Sequence, residues 1–252
     1  MKVMDASELY DPEFRKLIKS KKQTIIIPVG SLEQHGAHLP ITTDSDIVTE
    51  VASRLAKKCG FIVFPTISYG VSIEHDPLFN TSIGVGALSR MIMQICQSVL
   101  VRPLQGVNSP KRMKSRIPRI IILNGHHGNI QALVRLEEGL SLVSGREGRD
   151  RIRFFNYWKF MNHEFDHAGF VETSIMLAIS DKVKMKKAKK GFTTKGLSEK
   201  EIQRINKLST EPGGFPKIAK NGVWGDPTDA TKKDGKKFLA EIVRNLAKEC
   251  QS

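Results

Sequence analysis

Between Pro28 and Asp46 the chain reads PVGSLEQHGAHLPITTDSD and gathers Glu33, His35, His38, Asp44 and Asp46 within nineteen residues. Carboxylates and imidazoles mixed in this way, with no cysteine nearby, form a donor set suited to catalytic zinc, manganese or iron(II) rather than a structural thiolate cage. Plainer roles stay open for each residue. His38 and Asp46 could be surface loop residues, and Asp44 or Asp46 could cap the helix that follows. Two later polar clusters carry the same residue types: Asn124-Gly125-His126-His127-Gly128-Asn129, and the stretch from His163 through His167 to Glu172. Glu172, near a helix start, could simply complement the helix dipole.

The elements that must position these residues are legible from periodicity. Residues 24–29 and 120–123 are short, almost wholly apolar runs, the pattern of buried parallel strands, and each leads directly into a polar cluster. In open α/β sheets, the carboxyl ends of such strands are where ligands bind. After Asp46, Ile47, Val48, Val51, Ala52, Leu55 and Ala56 recur at helical spacing until Cys59-Gly60, and a strand over 61–65 follows, so a right-handed βαβ crossover is expected. Further helices are predicted over 88–99, 130–143, from Val171, over 198–208 and over 231–250, with a fourth strand at 151–158 and a helical lead-in over 1–22. The segments 66–82, 102–119 and 211–231 read as loops. Glu74, His75 and Asp76 sit in the first of these, as ordinary solvent-facing polar residues or as part of a substrate-side lid.

Composition bounds the remaining choices. The chain has 252 residues and is 40% hydrophobic, enough for one α/β domain over 1–252 with a sizeable core. The N-terminal residues carry charges throughout and lack a continuous apolar run, so neither a signal peptide nor a membrane anchor is expected, and a cytoplasmic protein is. Cys59, Cys96 and Cys250 are widely spaced and predict reduced thiols. The net charge of +14 would attract anions, phosphorylated substrates or nucleic acid among them. Six lysines fall within residues 182–190 without an interleaved aromatic residue, the pattern of a solvated face more than of a nucleic-acid site.

Four segments in order, GSLEQHGAHLPITTD, ILNGHHGN, HAGFVETSIML and NGVWGDPTDAT, resemble the successive motifs of the creatininase family of metal-dependent amidohydrolases. The resemblance implies a three-layer α/β/α sandwich with a largely parallel sheet, and a homo-oligomer, commonly a hexamer. It implies two divalent ions (Zn, Fe(II) or Mn) held by Glu33, His35, Asp44 and His126, with Asp44 bridging, and proton transfer by His167. Creatininase itself carries a second-ion glutamate where this chain has Gly128; the usual family alternative corresponds to Glu172, placed here as ligand and catalytic carboxylate. Creatininase also has a tryptophan at the place of His163, while Trp158 matches its other active-site tryptophan. The expected substrate is a small non-peptide amide. The formamide of a formamidopyrimidine ribonucleotide comes first because the basic charge suits a phosphate, with creatinine and a redox-cofactor precursor peptide as alternatives. A basic nucleic-acid-binding protein is the reading from another class.

Overall fold

The computed structural model describes residues 4–20, 23–101, 118–149 and 151–251. Its centre is a five-stranded sheet formed by β1 (Met4–Asp5), β2 (Thr24–Val29), β3 (Ile62–Val63), β4 (Arg119–Asn124) and β5 (Ile152–Asn156), in the order β1-β3-β2-β4-β5. Every pairing is parallel, with Val29 opposite Asn124 at the carboxyl end of the central pair. Side-chain alternation splits the core into two layers. Ile25, Ile27, Val29, Ile120 and Ile122 face α1 (Asp11–Ser20), α3 (Val85–Val101) and α4 (Ile130–Arg149); Ile26, Ile121 and Leu123 face α2 (Thr43–Cys59), α5 (Phe170–Ile179) and α8 (Lys232–Gln251). Both faces are therefore covered, and the α/β/α sandwich expected from the sequence is the fold. The central strands read as continuous apolar runs because neither face meets water.

Chain direction reverses across the sheet at β2. From β2 the chain crosses through α2 to β3 on one side, then passes through α3 to β4 on the other, which opens a crevice above the carboxyl ends of β2 and β4. Two glycines let that crevice close tightly on α2. A Cβ on Gly30 would lie 2.6 Å from the Ser45 Cα, and one on Gly125 would lie 2.8 Å from the Asp44 carbonyl oxygen. Gly30 is needed for this close approach rather than for the sharp turn its position implies. A third, Gly235, lets α8 press against α5, since its Cβ would fall on the Ser174 carbonyl.

Several element boundaries depart from the sequence reading. Residues 4–8 form an edge strand and a 3-10 turn ahead of α1 rather than continuing one helix, because two residues pairing with β3 show no periodicity of their own. The strand expected over 61–65 is confined to Ile62–Val63, although Phe64 and Ile67 still donate to the Ile26 and Pro28 carbonyls. At the other edge the chain leaves the sheet at Asn156 and coils into the 3-10 turn Tyr157–Phe160, which turns Trp158 toward the crevice. Within the loop 211–231, Phe215–Ile218 forms the short helix α7; helix α6 (Glu199–Ser209) precedes it with a Ser198/Glu201 capping box. The basic segment 102–117 lies outside the described residues. The lysines of residues 182–190 are exposed on loops and one 3-10 turn, as a solvated run should be. The three cysteines are free, and no helix among the described residues is long and apolar enough to cross a membrane.

Candidate metal centre

The two strand ends deliver the first ligands. Beyond Val29 the loop carries Glu33 and His35 back over the sheet; beyond Asn124 comes His126, and the first turn of α2 presents Asp44 between them. Asparagines fix these loops. Asn129 donates to the Gly30 carbonyl at 2.9 Å and to Asn124 Oδ1 at 3.2 Å, and accepts from the Val71 amide at 2.9 Å, so three loops share one side chain. Asn124 in turn donates to the His126 carbonyl and to Asn156 Oδ1, both at 2.8 Å.

All five expected ligands come together. Glu33, His35, Asp44, His126 and Glu172 are each at most 4% exposed. His126 Nδ1 lies 3.1 Å from Asp44 Oδ2, His126 Nε2 lies 3.2 Å from Glu33 Oε2, and His35 Nε2 lies 3.3 Å from Asp44 Oδ1 and 3.5 Å from Glu172 Oε2. Two groups therefore share Asp44: Glu33, Asp44 and His126, and His35, Asp44 and Glu172, with ligand atoms within 4.8 Å of one another in each. Glu33, His35 and His167 form a third such group at the rim.

The donor set fits a cation better than it fits itself. Glu33 Oε1, His35 Nε2, Asp44 Oδ2 and Glu172 Oε1 are buried and lack a hydrogen bond, although imidazole or carboxylate atoms lie within 3.0–3.5 Å of most of them. Atoms this close without hydrogen-bond angles are aimed at a common point rather than at each other. Leaving that many buried polar atoms unsatisfied would cost about 1–3 kcal/mol each, more for charged ones, unless a further group meets them. No lysine or arginine among the described residues lines the cleft to neutralise its carboxylates. In the ion-free chain protons take the cation's place. Burial would lower His35, but Asp44, with Glu172 and Glu33, raises it to about 10. For His126 burial is likewise outweighed, by Glu33 and Asp44, and its pKa is raised. Burial, opposed by His35 and reinforced by the Asp44 carboxylate, pushes Glu172 up to about 8. Asp44 is driven down despite its burial, because His35 and His126 flank it.

His167 stands at the rim, its side chain 14% exposed, with its ring centroid 4.2 Å from that of His35 and 4.9 Å from that of His75. The motif containing Trp224 holds it there: the backbones of His167 and Trp224 exchange hydrogen bonds of 3.1 and 2.8 Å. Ala168 follows with φ of +53°, a conformation rare for a residue with a side chain, and its amide donates to Glu172 Oε2 at 2.7 Å. Asp166 accepts from the Val171 and Glu172 amides, and burial raises its pKa to about 6. Burial, then the neighbouring His35 and His75, holds His167 well below the usual histidine value.

Sequence reasoning left other members of the site undecided or unnoticed. Glu74 and His75, read there as solvent-facing or as a lid, are buried; His75 Nε2 lies 3.0 Å from Glu33 Oε1, and Gln34 Nε2 bridges His75 and His167 at 3.0 and 3.1 Å. Phe215 and Trp224 line the cleft, of about 410 Å³, with Trp158 and Phe165, whose rings stack at 4.9 Å. Trp158 thus falls where the resemblance puts it. His163 is exposed and packs near Phe170 and Phe238, and does not line the cleft. His38 is a buried support whose Nε2 lies 2.9 Å from Thr173 Oγ1, and Asp46 accepts from Thr42 Oγ1 at 2.8 Å beside the helix start. His38 is therefore in the interior and not on the surface, Asp46 lies in the first turn of α2 rather than on a loop, and neither belongs to a ligand group found among the described residues.

The family model for creatinine amidohydrolase (creatininase) matches residues 7–250. The chain belongs to the creatininase family. Among its creatininase-family relatives, the mycofactocin precursor peptide peptidase of Mycobacterium ulcerans (strain Agy99) is 32% identical over 234 residues, covering 87% of this chain and 81% of that one. The 2-amino-5-formylamino-6-ribosylaminopyrimidin-4(3H)-one 5'-monophosphate deformylase of Methanocaldococcus infernus (strain DSM 11812 / JCM 15783 / ME) is 28% identical, covering 93% and 94%. A solved structure described as "Creatininase Mn" superposes with a TM-score of 0.74 at 21% identity, covering 99% of this chain and 98% of that one. The chain is therefore a hydrolase of a family of metal-dependent amidohydrolases.

Proposed function

We propose that this protein hydrolyses a peptide-type C–N amide bond using two divalent ions, one held by Glu33, Asp44 and His126 and the other by His35, Asp44 and Glu172. The observation that carries the reading is the convergence of buried, hydrogen-bond-deficient carboxylate and imidazole atoms on two positions that share Asp44. Divalent ions at such positions supply an activated water at neutral pH and a Lewis acid for the carbonyl oxygen. The chain's own groups do the rest. His167, held below the usual histidine value, is placed to act first as a base, taking the proton the attacking water loses, and then to pass that proton to the departing nitrogen. Gln34 orients it, and the walls formed by Trp158, Phe165, Phe215 and Trp224 bind an apolar or planar group and exclude water.

The cleft changes the order of the substrate readings. The six lysines of the run 182–190, a local part of the basic excess that makes a phosphorylated nucleotide attractive, are exposed and do not line the cleft. Among the described residues the cleft offers a phosphate no lysine or arginine to pair with. Aromatic walls without a cationic side chain suit a peptide segment, and the named activity of the mycobacterial relatives supports that choice over the deformylase. A panel of Zn- or Mn-loaded enzyme against short peptides with an aromatic residue at the scissile amide, a formamidopyrimidine nucleotide and creatinine is the test. Peptide cleavage, read by mass spectrometry, should exceed the others about tenfold or more in kcat/KM. Preferential turnover of the nucleotide would restore the phosphate reading.

Ion binding should also be pH-linked. His35, His126 and Glu172 have raised values, so at pH 7 the ion-free site holds protons that an incoming cation must displace. Affinity is therefore weaker at low pH and rises with it, by at least about tenfold per pH unit between pH 6 and 8. Calorimetry in buffers of different ionisation enthalpy should register proton release, and affinity that tightens as pH falls would contradict the ligand set.

A further inference from the structure

His126 is constrained at both ring nitrogens. Its Nε2 lies 2.8 Å from the Val71 carbonyl, which can only accept, so Nε2 carries the proton. Nδ1, 3.1 Å from Asp44 Oδ2, is the nitrogen left to offer a lone pair to an ion. Against the same Nε2, at 3.3 Å, stands Oε1 of Glu74, a buried carboxylate on the 3-10 turn Ile73–His75 that belongs to none of the ligand groups found among the described residues.

Gly128 explains why a carboxylate reaches His126 from this loop. A Cβ at 128 would fall on the Val71 carbonyl oxygen and on Glu74 Oε1, and would lie 2.5 Å from His126 Nε2. The space a side chain at 128 would enter is filled by the Val71–Glu74 segment, so this chain can carry a side chain at 128 or this loop position, and not both.

We propose that Glu74 is a positioning residue for His126: it supplies, from the loop after β3, the carboxylate that residue 128 cannot carry, and it holds the imidazole with Nδ1 facing the ion between Glu33 and Asp44. The proposal rests on the metal-centre reading above. A carboxylate behind a ligating imidazole fixes its tautomer and makes it a stronger donor, and losing such a partner typically weakens metal binding about 10–100-fold.

The test uses the full chain, stripped and reloaded with Zn²⁺ and compared by chelator competition. Glu74→Ala should weaken one of the two ions about 10–100-fold while leaving stoichiometry at saturating Zn²⁺ unchanged. At saturation kcat should fall with KM held within about twofold, the mark of an interaction lost from the reacting machinery rather than from substrate binding. The ¹⁵N signals of the His126 ring in the Zn²⁺-loaded protein should shift and broaden as the ring loses its second support, while Nε2 keeps its proton on the Val71 carbonyl. Glu74→Gln keeps an acceptor oxygen and should lose less, about threefold to tenfold, which keeps the test available should the alanine variant fail to fold. Wild-type affinity in either variant would overturn the proposal. So would loss of one ion at saturation, which would make Glu74 itself a ligand, or a rise in KM alone, which would place it on the substrate. If the unmodified protein binds no Zn²⁺, the metal-centre reading fails first and this proposal falls with it.

Discussion

Asp44→Ala should abolish hydrolysis and bring bound metal below one ion per subunit. Asp44 is the one carboxylate common to both principal ligand groups, with Oδ1 3.3 Å from His35 and Oδ2 3.1 Å from His126. Its removal takes a ligand from each ion, and it leaves His35 without the charge that chiefly offsets its burial and His126 with Glu33 alone of its two principal partners. Lewis-acid stabilisation is worth several kcal/mol, so the rate should fall by about three orders of magnitude or more. Elemental analysis and turnover measured on the same preparation decide it. A fully loaded, active Asp44→Ala protein would remove the basis for two ions sharing this residue.

Replacing His167 should have the opposite metal signature. The side chain sits at the rim, its Nδ1 3.9 Å from Glu33 Oε1, and its Nε2 within 3.1 Å of the Gln34 side-chain amide and backbone carbonyl. His167→Ala should therefore keep both ions and lose about 10²–10⁴ in kcat, the usual contribution of a positioned proton-transfer group. A leaving amine that needs little protonation should suffer less, so amides with progressively better leaving groups should close the gap between variant and parent. If the variant instead loses an ion in step with its activity, His167 is acting with Glu33 and His35 as a ligand, the alternative that their proximity also permits.

Much of the centre was legible before any coordinates. The apolar runs ahead of Gly30 and Gly125 mark strands buried on both faces, and polar clusters immediately after such strands must emerge together along one sheet edge. That local argument locates Glu33, His35 and His126, and the family resemblance adds Asp44, Glu172 and His167. Glu74 and His75 resisted the same reasoning. Their segment has no periodicity, and their burial comes from contacts with residues far along the chain: Asn129 holding the Val71 amide, Glu33 facing His75 and Phe215 packing at 4.5 Å on the His75 ring. His163 shows the converse, since its residue type and place in a motif point to the cleft while its side chain packs near Phe170 and Phe238 and does not line it.

The sequence alone determined the parallel β-α-β order, the strand ends that carry chemistry and the ligand types, because apolar runs, helical spacing and donor chemistry are properties of neighbours along the chain; the three-layer sandwich came with the family resemblance. Only the tertiary structure decided that Asp44 faces both imidazoles, that a loop fills the space over Gly128, and that no lysine or arginine among the described residues lines the cleft. Those facts depend on how closely separate segments approach one another, and close packing between distant residues leaves no periodic trace in the order of the amino acids.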